Sequence, residues 1–175
     1  TMLNSLSEYD ETFAEQYMAH LDGAELTADM IHQALRRATL TGGAQPVLCG
    51  SSFKYVGVQQ LLDAVSYYLP SPLDKPPIEG IHPKKGNELS RKPEPSEPFS
   101  GLVFKITNDA HGDLSFVRVY SGILKAGSRP YNPGREEKEN CSRLYHIRAD
   151  DREQIAEAMT GDIVGVVGLK KAVTG

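Results

Sequence analysis

Residues 46–74 read PVLCGSSFKYVGVQQLLDAVSYYLPSPLD, and the rest of the chain is organised around them. The opening run Pro46-Val47-Leu48-Cys49 is apolar, too short for a helix, and bounded by Gly50 and two serines. It reads as a buried strand. A glycine- and serine-containing turn follows. Val58, Leu61, Leu62, Val65 and Leu69 then recur at helical spacing, which predicts an amphipathic helix stopped by Pro70, Ser71 and Pro72. Strand, polar loop and returning helix make half of an α/β unit, an arrangement that places ligands at the carboxyl end of the strand. Upstream of this stretch the pattern is helical; downstream it is β.

The chain has 175 residues, room for one ordinary domain or two small ones. Hydrophobic residues at 39% and charged residues at 24% fit a globular protein and exclude a disordered one. No apolar run approaches the roughly 20 residues of a membrane helix. The opening TMLNSLSEYDE has neither the basic region nor the apolar core of a signal peptide, and reads as the interior of a longer protein. The two cysteines, Cys49 and Cys141, make no disulfide framework or zinc site; Cys49 reads as a small buried hydrophobe, and the compartment as reducing. A net charge of -4 argues against a protein that simply coats nucleic acid. Acids outnumber bases in the first 100 residues, whereas the remainder is near balance and carries clustered arginines and lysines.

Ser7 reads as an N-cap, with Glu8, Asp10 and Glu11 in the first turn of a helix running to about His20. Thr27 reads as a second N-cap, with Ile31, Leu35 and Ala38 on one apolar face and Arg36-Arg37 near the C-terminal end. Residues 75–98 are proline-rich and hold no helical or strand period. They read as an extended linker with a mobile tip around His82–Arg91, its Lys84, Lys85, Arg91 and Lys92 forming a solvated loop.

From Phe99 the period becomes two. Leu102, Phe104 and Ile106 alternate with Val103 and Lys105, and Asn108–Asp113 is a turn cluster. Leu114, Phe116, Arg118 and Tyr120 share one strand face; Ser115, Val117, Val119 and Ser121 share the other. Asn140–Arg148 alternates again, with Cys141, Arg143, Tyr145 and Ile147 opposite Ser142, Leu144, His146 and Arg148. Gly161 to Leu169 is an apolar, glycine-punctuated strand. Short strands between glycine and proline turns predict a small β-barrel, so the fold class is α+β in two parts.

Two segments resemble a known family. Gly50-Ser51-Ser52-Phe53, Gly57-Val58-Gln59 and Tyr68-Leu69-Pro70-Ser71-Pro72 resemble the end of the GTPase domain of elongation factor G, the ribosomal translocase; Ser52 stands where alanine is usual, and Tyr55-Val56 where Asn-Lys is usual. The helices upstream are similar to the segment leading out of that domain's insertion. Arg118-Val119-Tyr120-Ser121-Gly122 and Gly161-Asp162-Ile163 resemble the family's domain II barrel. The short Asn108–Asp113 loop, with Asp113 where a base is common, resembles a divergent or recycling-type paralogue. The resemblance implies residues 1–74 as the end of a P-loop GTPase domain, 75–98 as linker, and 99–175 as a barrel lacking a closing strand.

It also implies a parent in the cytoplasm, or in an organelle matrix if the paralogue is of the organelle type, that uses GTP and Mg2+ and partners the ribosome, with the remaining domains of the same chain as further partners and no DNA or membrane partner. The chain itself lacks GxxxxGK[ST], a guanine-selecting Asn-Lys-x-Asp, a GxSxG elbow and HExxH. Asp109-Ala110-His111-Gly112 spells DxxG, but in a β-turn with no phosphate loop before it. No catalytic residue, metal ligand or bound cofactor is therefore expected here. Ser51, Ser52 and Phe53 are the implied remnant of a guanine-base loop. The barrel is expected to rest on small-subunit ribosomal RNA, with Arg118, Lys125, Arg129, Arg143, His146 and Arg148 as candidate contacts. The competing reading is a stand-alone β-barrel that binds RNA or protein.

Overall fold

The computed structural model describes residues 1–83, 85–109 and 112–175, and divides into two compact units, Thr1–Pro70 and Ser71–Gly175. The first is helical. It contains α1 (Met2–Tyr9), α2 (Glu11–Leu21), α3 (Ala28–Leu40) and α4 (Val58–Tyr68). Phe13, Leu6, Ala34 and Ala38 are its buried centre. Thr27 caps α3, accepting from the Met30 amide. Ser7 is not a cap: Thr1 starts α1 and Asp10 starts α2, so one expected helix is two. Asp10 breaks the first helix because its carboxylate competes for the backbone, accepting from the Phe13 amide at 3.0 Å. Ser7 Oγ instead donates back to the Asn4 carbonyl inside α1.

The expected strand at Pro46–Cys49 does not form. These residues lie outside any strand; Val47 is 86% exposed and Cys49 is exposed, not buried. A strand exists only where a neighbour takes its amides and carbonyls, and the described residues of this unit supply none. The stripe on α4 shares that fate: Leu61, Leu62, Val65 and Leu69 are exposed, while Ala64 and Tyr68 are buried. Tyr68 joins α4 to α3, its hydroxyl 2.6 Å from His32 Nδ1.

The second unit begins with β1 (Ile78–Ile81) and β2 (Glu88–Arg91), an antiparallel hairpin where the sequence predicts a bare tether. Its tip is a turn: the His82 amide donates to the Asn87 carbonyl and the Gly86 amide to that of His82. The pleat was illegible because Gly80 and the prolines interrupt the alternation. Lys84, and Ala110-His111 of the second turn, lie outside the described residues.

Then come β3 (Ser100–Asp109), β4 (Gly112–Ser121), β5 (Ile123–Lys125), β6 (Tyr131–Asn132), β7 (Glu137–Lys138), β8 (Arg143–Arg148), β9 (Asp151–Ile155), β10 (Glu157–Met159) and β11 (Ile163–Val167). Five form an antiparallel sheet in the order β3-β4-β11-β8-β9; β5 pairs with β10 and β6 with β7. The expected barrel is not a closed ring. Closure requires the edge strands to bond to each other, and β3 and β9 do not among the described residues. The chain instead covers the inner face: Leu124 of β5 and Ala158 of β10 join Val117, Val119, Leu144, Val164 and Val166 in one buried cluster with Cys141. Each fully buried aliphatic there contributes about 1.5–3 kcal/mol. Burial pushes the Cys141 thiol up to about 11, against a lowering hydrogen bond from Ser128, so it stays protonated and inert.

Two expected alternations break. A bulge between Val103 and Lys105 puts Leu102 opposite Arg118 and Lys105 opposite Phe116, both on the outer row. Cys141 and Leu144 are both buried, because β8 starts only at Arg143 and the parity changes before it.

This packing sets two measurable differences. Gly122 and Gly127 both adopt left-handed φ, at +69° and +77°, but a Cβ on Gly122 would stand 2.4 Å from the Glu97 carbonyl oxygen while one on Gly127 meets nothing within 4 Å. Gly127→Ala should cost about 1 kcal/mol and Gly122→Ala at least about 2 kcal/mol more, read by chemical denaturation. In the helical unit, burial raises the Asp10 pKa, but the bond from Arg37, the Phe13 and Thr12 amides and the guanidinium charge outweigh it and hold the carboxyl below its ordinary 3.8. A depressed carboxyl stabilises above its unfolded pKa and loses that contribution as pH falls through the folded one. Acid titration of helicity should therefore show a loss below about pH 4 that Asp10→Asn largely removes.

Candidate functional site

Ser51, Ser52 and Phe53 lie in a tight loop before α4. Ser51 pairs with Val56 in an isolated bridge: its amide donates to the Val56 carbonyl at 2.9 Å, and the Val56 amide donates back at 3.0 Å. The space is closed by glycine, since a Cβ on Gly50 would stand 2.8 Å from the Val56 oxygen. Tyr55 takes left-handed φ at 54° to complete the turn. The Ser51 amide is therefore consumed by the loop itself. The Ser52 and Phe53 amides open a single 3-10 turn over Ser52–Lys54 and have no acceptor among the described residues. Phe53 is 98% exposed. The loop offers two amides without a partner among the described residues, an uncovered ring and the single cation of Lys54, but no cradle for phosphates.

The six candidate RNA contacts do not form one patch. Residues facing each other across antiparallel strands point to the same side. The register Leu114–Val167–Arg143, Phe116–Gly165–Tyr145 and Arg118–Ile163 thus puts Arg118 and Arg143 on one outer face. At usual strand dimensions their backbones lie about 16 Å apart. Leu144 and His146 belong to the opposite row, and His146 is half-buried opposite Glu153. Lys125 ends β5 and pairs with Glu157 at 3.8 Å; Arg148 ends β8 and pairs with Glu153 at 3.8 Å. Arg129 is an exposed loop residue without an ionic partner among the described residues.

The surroundings of the two outer arginines differ. Arg118 lies over the Tyr120 ring, 5.9 Å from its centroid. Arg143 lines a polar cavity of about 590 Å³ with Asp113, Asp150, Asp151 and Arg152, whose acids soften its field. Between the proline segment Pro72–Pro77 and the outer face of β3, β4 and β11 runs an apolar groove of about 850 Å³. Leu102, Phe104, Tyr120 and Ile163 form its wall, with Lys75, Arg91 and Arg118 among its lining. Sequence reasoning found Arg118 and missed its aromatic neighbours. The signal was present in Phe116-Arg118-Tyr120 and in Leu102 and Phe104, each set alternating on one strand face, but the bulge that turns Lys105 onto the same row was not readable.

Among the described residues, the histidines are held by local partners and not by a neighbouring acid and nucleophile. His20 Nδ1 lies 2.8 Å from the Ala24 carbonyl oxygen, His32 faces Tyr68, and His82 accepts from the Lys85 amide. Among the described residues no group of histidine, cysteine, aspartate and glutamate could hold a metal ion, and no helix is long and apolar enough to cross a membrane.

A family profile described as Elongation factor G domain 2 matches residues 98–175. "Elongation factor G 2" of Syntrophus aciditrophicus (strain SB) is 47% identical over 174 residues, which is 99% of this chain and 25% of that protein. A crystal structure of a Thermus thermophilus protein superposes with a TM-score of 0.64 at 26% identity, covering 97% of this chain and 22% of that one. The chain thus spans about a quarter of the length of the relatives it matches. With a domain 2 profile over its β unit and a relative of that name along nearly its whole length, the chain belongs to the elongation factor G family.

Proposed function

We propose that this chain is part of a translational GTPase of the elongation factor G type, acting in ribosomal translocation during protein synthesis, and that its β unit docks on small-subunit ribosomal RNA. The observation that carries this reading is the 47% identity to a protein named elongation factor G 2, sustained over 99% of the chain. On this reading the protein works in the cytoplasm, and its nucleotide chemistry belongs to parts of the protein beyond these residues.

The residues present do not fit a GTP–magnesium pair. The sequence holds no phosphate-binding loop and no guanine-selecting Asn-Lys-x-Asp. The Ser52 and Phe53 amides can meet at most one edge of a base. Two amides without a cradle for three phosphates give little affinity, because most of the binding free energy of a nucleoside triphosphate comes from its charged end. Calorimetric titration of GTP or GDP into the chain should give no binding heat at micromolar concentrations; a saturating isotherm there would overturn this.

RNA docking, in contrast, needs only accessible cations. Among the described residues, Arg118, Arg129 and Arg143 have no acid within ion-pair distance, whereas Lys125 and Arg148 already have one each, and of the three Arg118 and Arg143 share one sheet face. The outer sheet face should therefore carry most of the contact. Co-sedimentation with small ribosomal subunits should show binding at about 50 mM salt that weakens about tenfold by about 200 mM. The double change Arg118→Glu, Arg143→Glu should lower affinity at least about tenfold, and Lys125→Glu, Arg148→Glu only about two- to threefold. Equal effects of the two pairs, or binding indifferent to salt, would remove this face as the docking surface.

A further inference from the structure

We propose that the groove between Pro72–Pro77 and the outer face of the sheet captures an unpaired nucleotide of an RNA strand, holding its base on the apolar wall and its phosphate on the cations at the rim. This deepens the reading that the β unit meets ribosomal RNA, and rests on it. It differs in kind from contact with helical phosphates, because one base must leave its stack and enter the protein.

The wall is built for a flat ring. Phe104 and Ile163 remain 44% and 51% exposed although the groove is otherwise lined with apolar groups. Phe104 lies on the Leu102 side of β3 by plain alternation, and the bulge after Val103 adds Lys105 to the same row, opposite Phe116. Behind it the aromatic surface continues: the Phe104 and Phe116 centroids are 6.3 Å apart, and Lys105 Nζ lies 5.5 Å from the Phe116 centroid. Tyr120 lies under the Arg118 guanidinium. Aromatic rings alternating with cations on one sheet face are the elements of a stacking platform for single-stranded nucleic acid. The volume of about 850 Å³ falls within the range of clefts that enclose small ligands.

Charge decides between occupants. The lining contains Lys75, Arg91 and Arg118 against one acid, Glu79, in a chain whose net charge is -4. Arg91 has Glu97 at 3.8 Å, but Lys75 and Arg118 have no acidic partner among the described residues. An apolar peptide would cover Leu102 and Ile163 while drying two unpaired cations, a costly arrangement. A nucleotide brings a flat ring and an anion together. Helical RNA cannot use the wall, since its bases are stacked inside the duplex and it presents phosphates and 2′-hydroxyls.

The test uses the full chain and a short fluorescein-labelled oligoadenylate followed by anisotropy, with the same strand annealed to oligouridylate as the duplex control. The single strand should bind at least about tenfold more tightly than the duplex. Phe104→Ala should weaken it about tenfold, Lys75→Glu and Ile163→Glu should do the same, and a change at the exposed Lys138, to Glu, should leave it nearly unchanged. Phe104, Lys75 and Ile163 are all substantially exposed, and circular dichroism melting identifies any variant that fails to fold. Two of the three groove variants must fold for the result to count, and retention of single-strand binding by both would overturn the groove. Equal binding of strand and duplex would also overturn it, as would binding of an apolar peptide with no binding of oligoadenylate. Ribosomal subunits bound normally by Phe104→Ala and Ile163→Glu, with oligoadenylate ignored, would sink the groove and leave the docking reading intact. Oligoadenylate binding with no ribosomal binding would do the reverse.

Discussion

The β unit depends on its central strand, β11, being able to lie between β4 and β8 with a different chemistry on each side. Inward, Val164 and Val166 are wholly buried and meet Val117, Leu144 and the residues of the β5–β10 ribbon. Outward, Gly165 carries no side chain, and an added Cβ would stand 3.0 Å from Leu114 Cδ1 and 3.3 Å from Ile147 Cδ1. Those two side chains close over the strand because the glycine is bare. Three strands thereby come into register through one short run, and that register aligns Arg118, Ile163, Phe116 and Tyr145 on a single outer face. The candidate RNA surface is a consequence of how the core is packed.

The proline-rich segment gains a role from the same geometry. Read as sequence it is a spacer. In the fold it is a hairpin and a row of prolines forming one side of a groove, tied back by the Gly122 amide, which donates to the Glu94 carbonyl, and by the Ser121 hydroxyl, which donates to that of Pro98. Gly122 permits this approach, since any side chain there would collide with Glu97 and Phe99. A conformational requirement in the sheet thus determines where an apparently unstructured segment runs, and with it whether the aromatic wall is sheltered or open.

The helical unit shows the opposite balance. Its centre is closed by Phe13, Leu6, Ala34 and Ala38, and its helices are joined by Asp10–Arg37 and His32–Tyr68. Yet the most hydrophobic faces of α4 and the Pro46–Cys49 segment remain uncovered. Hydrophobic periodicity reports that a face wants burial; it does not name the element that buries it. The strand and the core-facing stripe read from the sequence were preferences of this kind, and neither is satisfied among the described residues.

The helix from Val58, the N-cap at Thr27, the pleat of β4 and the apolar run of β11 were legible from the chain alone, because each follows from contacts between near neighbours: capping bonds, period 3.6, or period 2. So was the family, whose marks are contiguous motifs. The second N-cap at Asp10, the hairpin in the linker, the bulge at Phe104 and the parity change before β8 were not. Each depends on what lies across the sheet or beside the helix, and a strand's register is fixed by its partner. For the site, the sequence supplied the list of cations. Only the tertiary structure decided that Arg118 and Arg143 share a face, that Lys125 and Arg148 are already paired, and that an aromatic groove opens beside one of them, because charge and ring positions become a surface only when strands from distant parts of the chain are laid edge to edge.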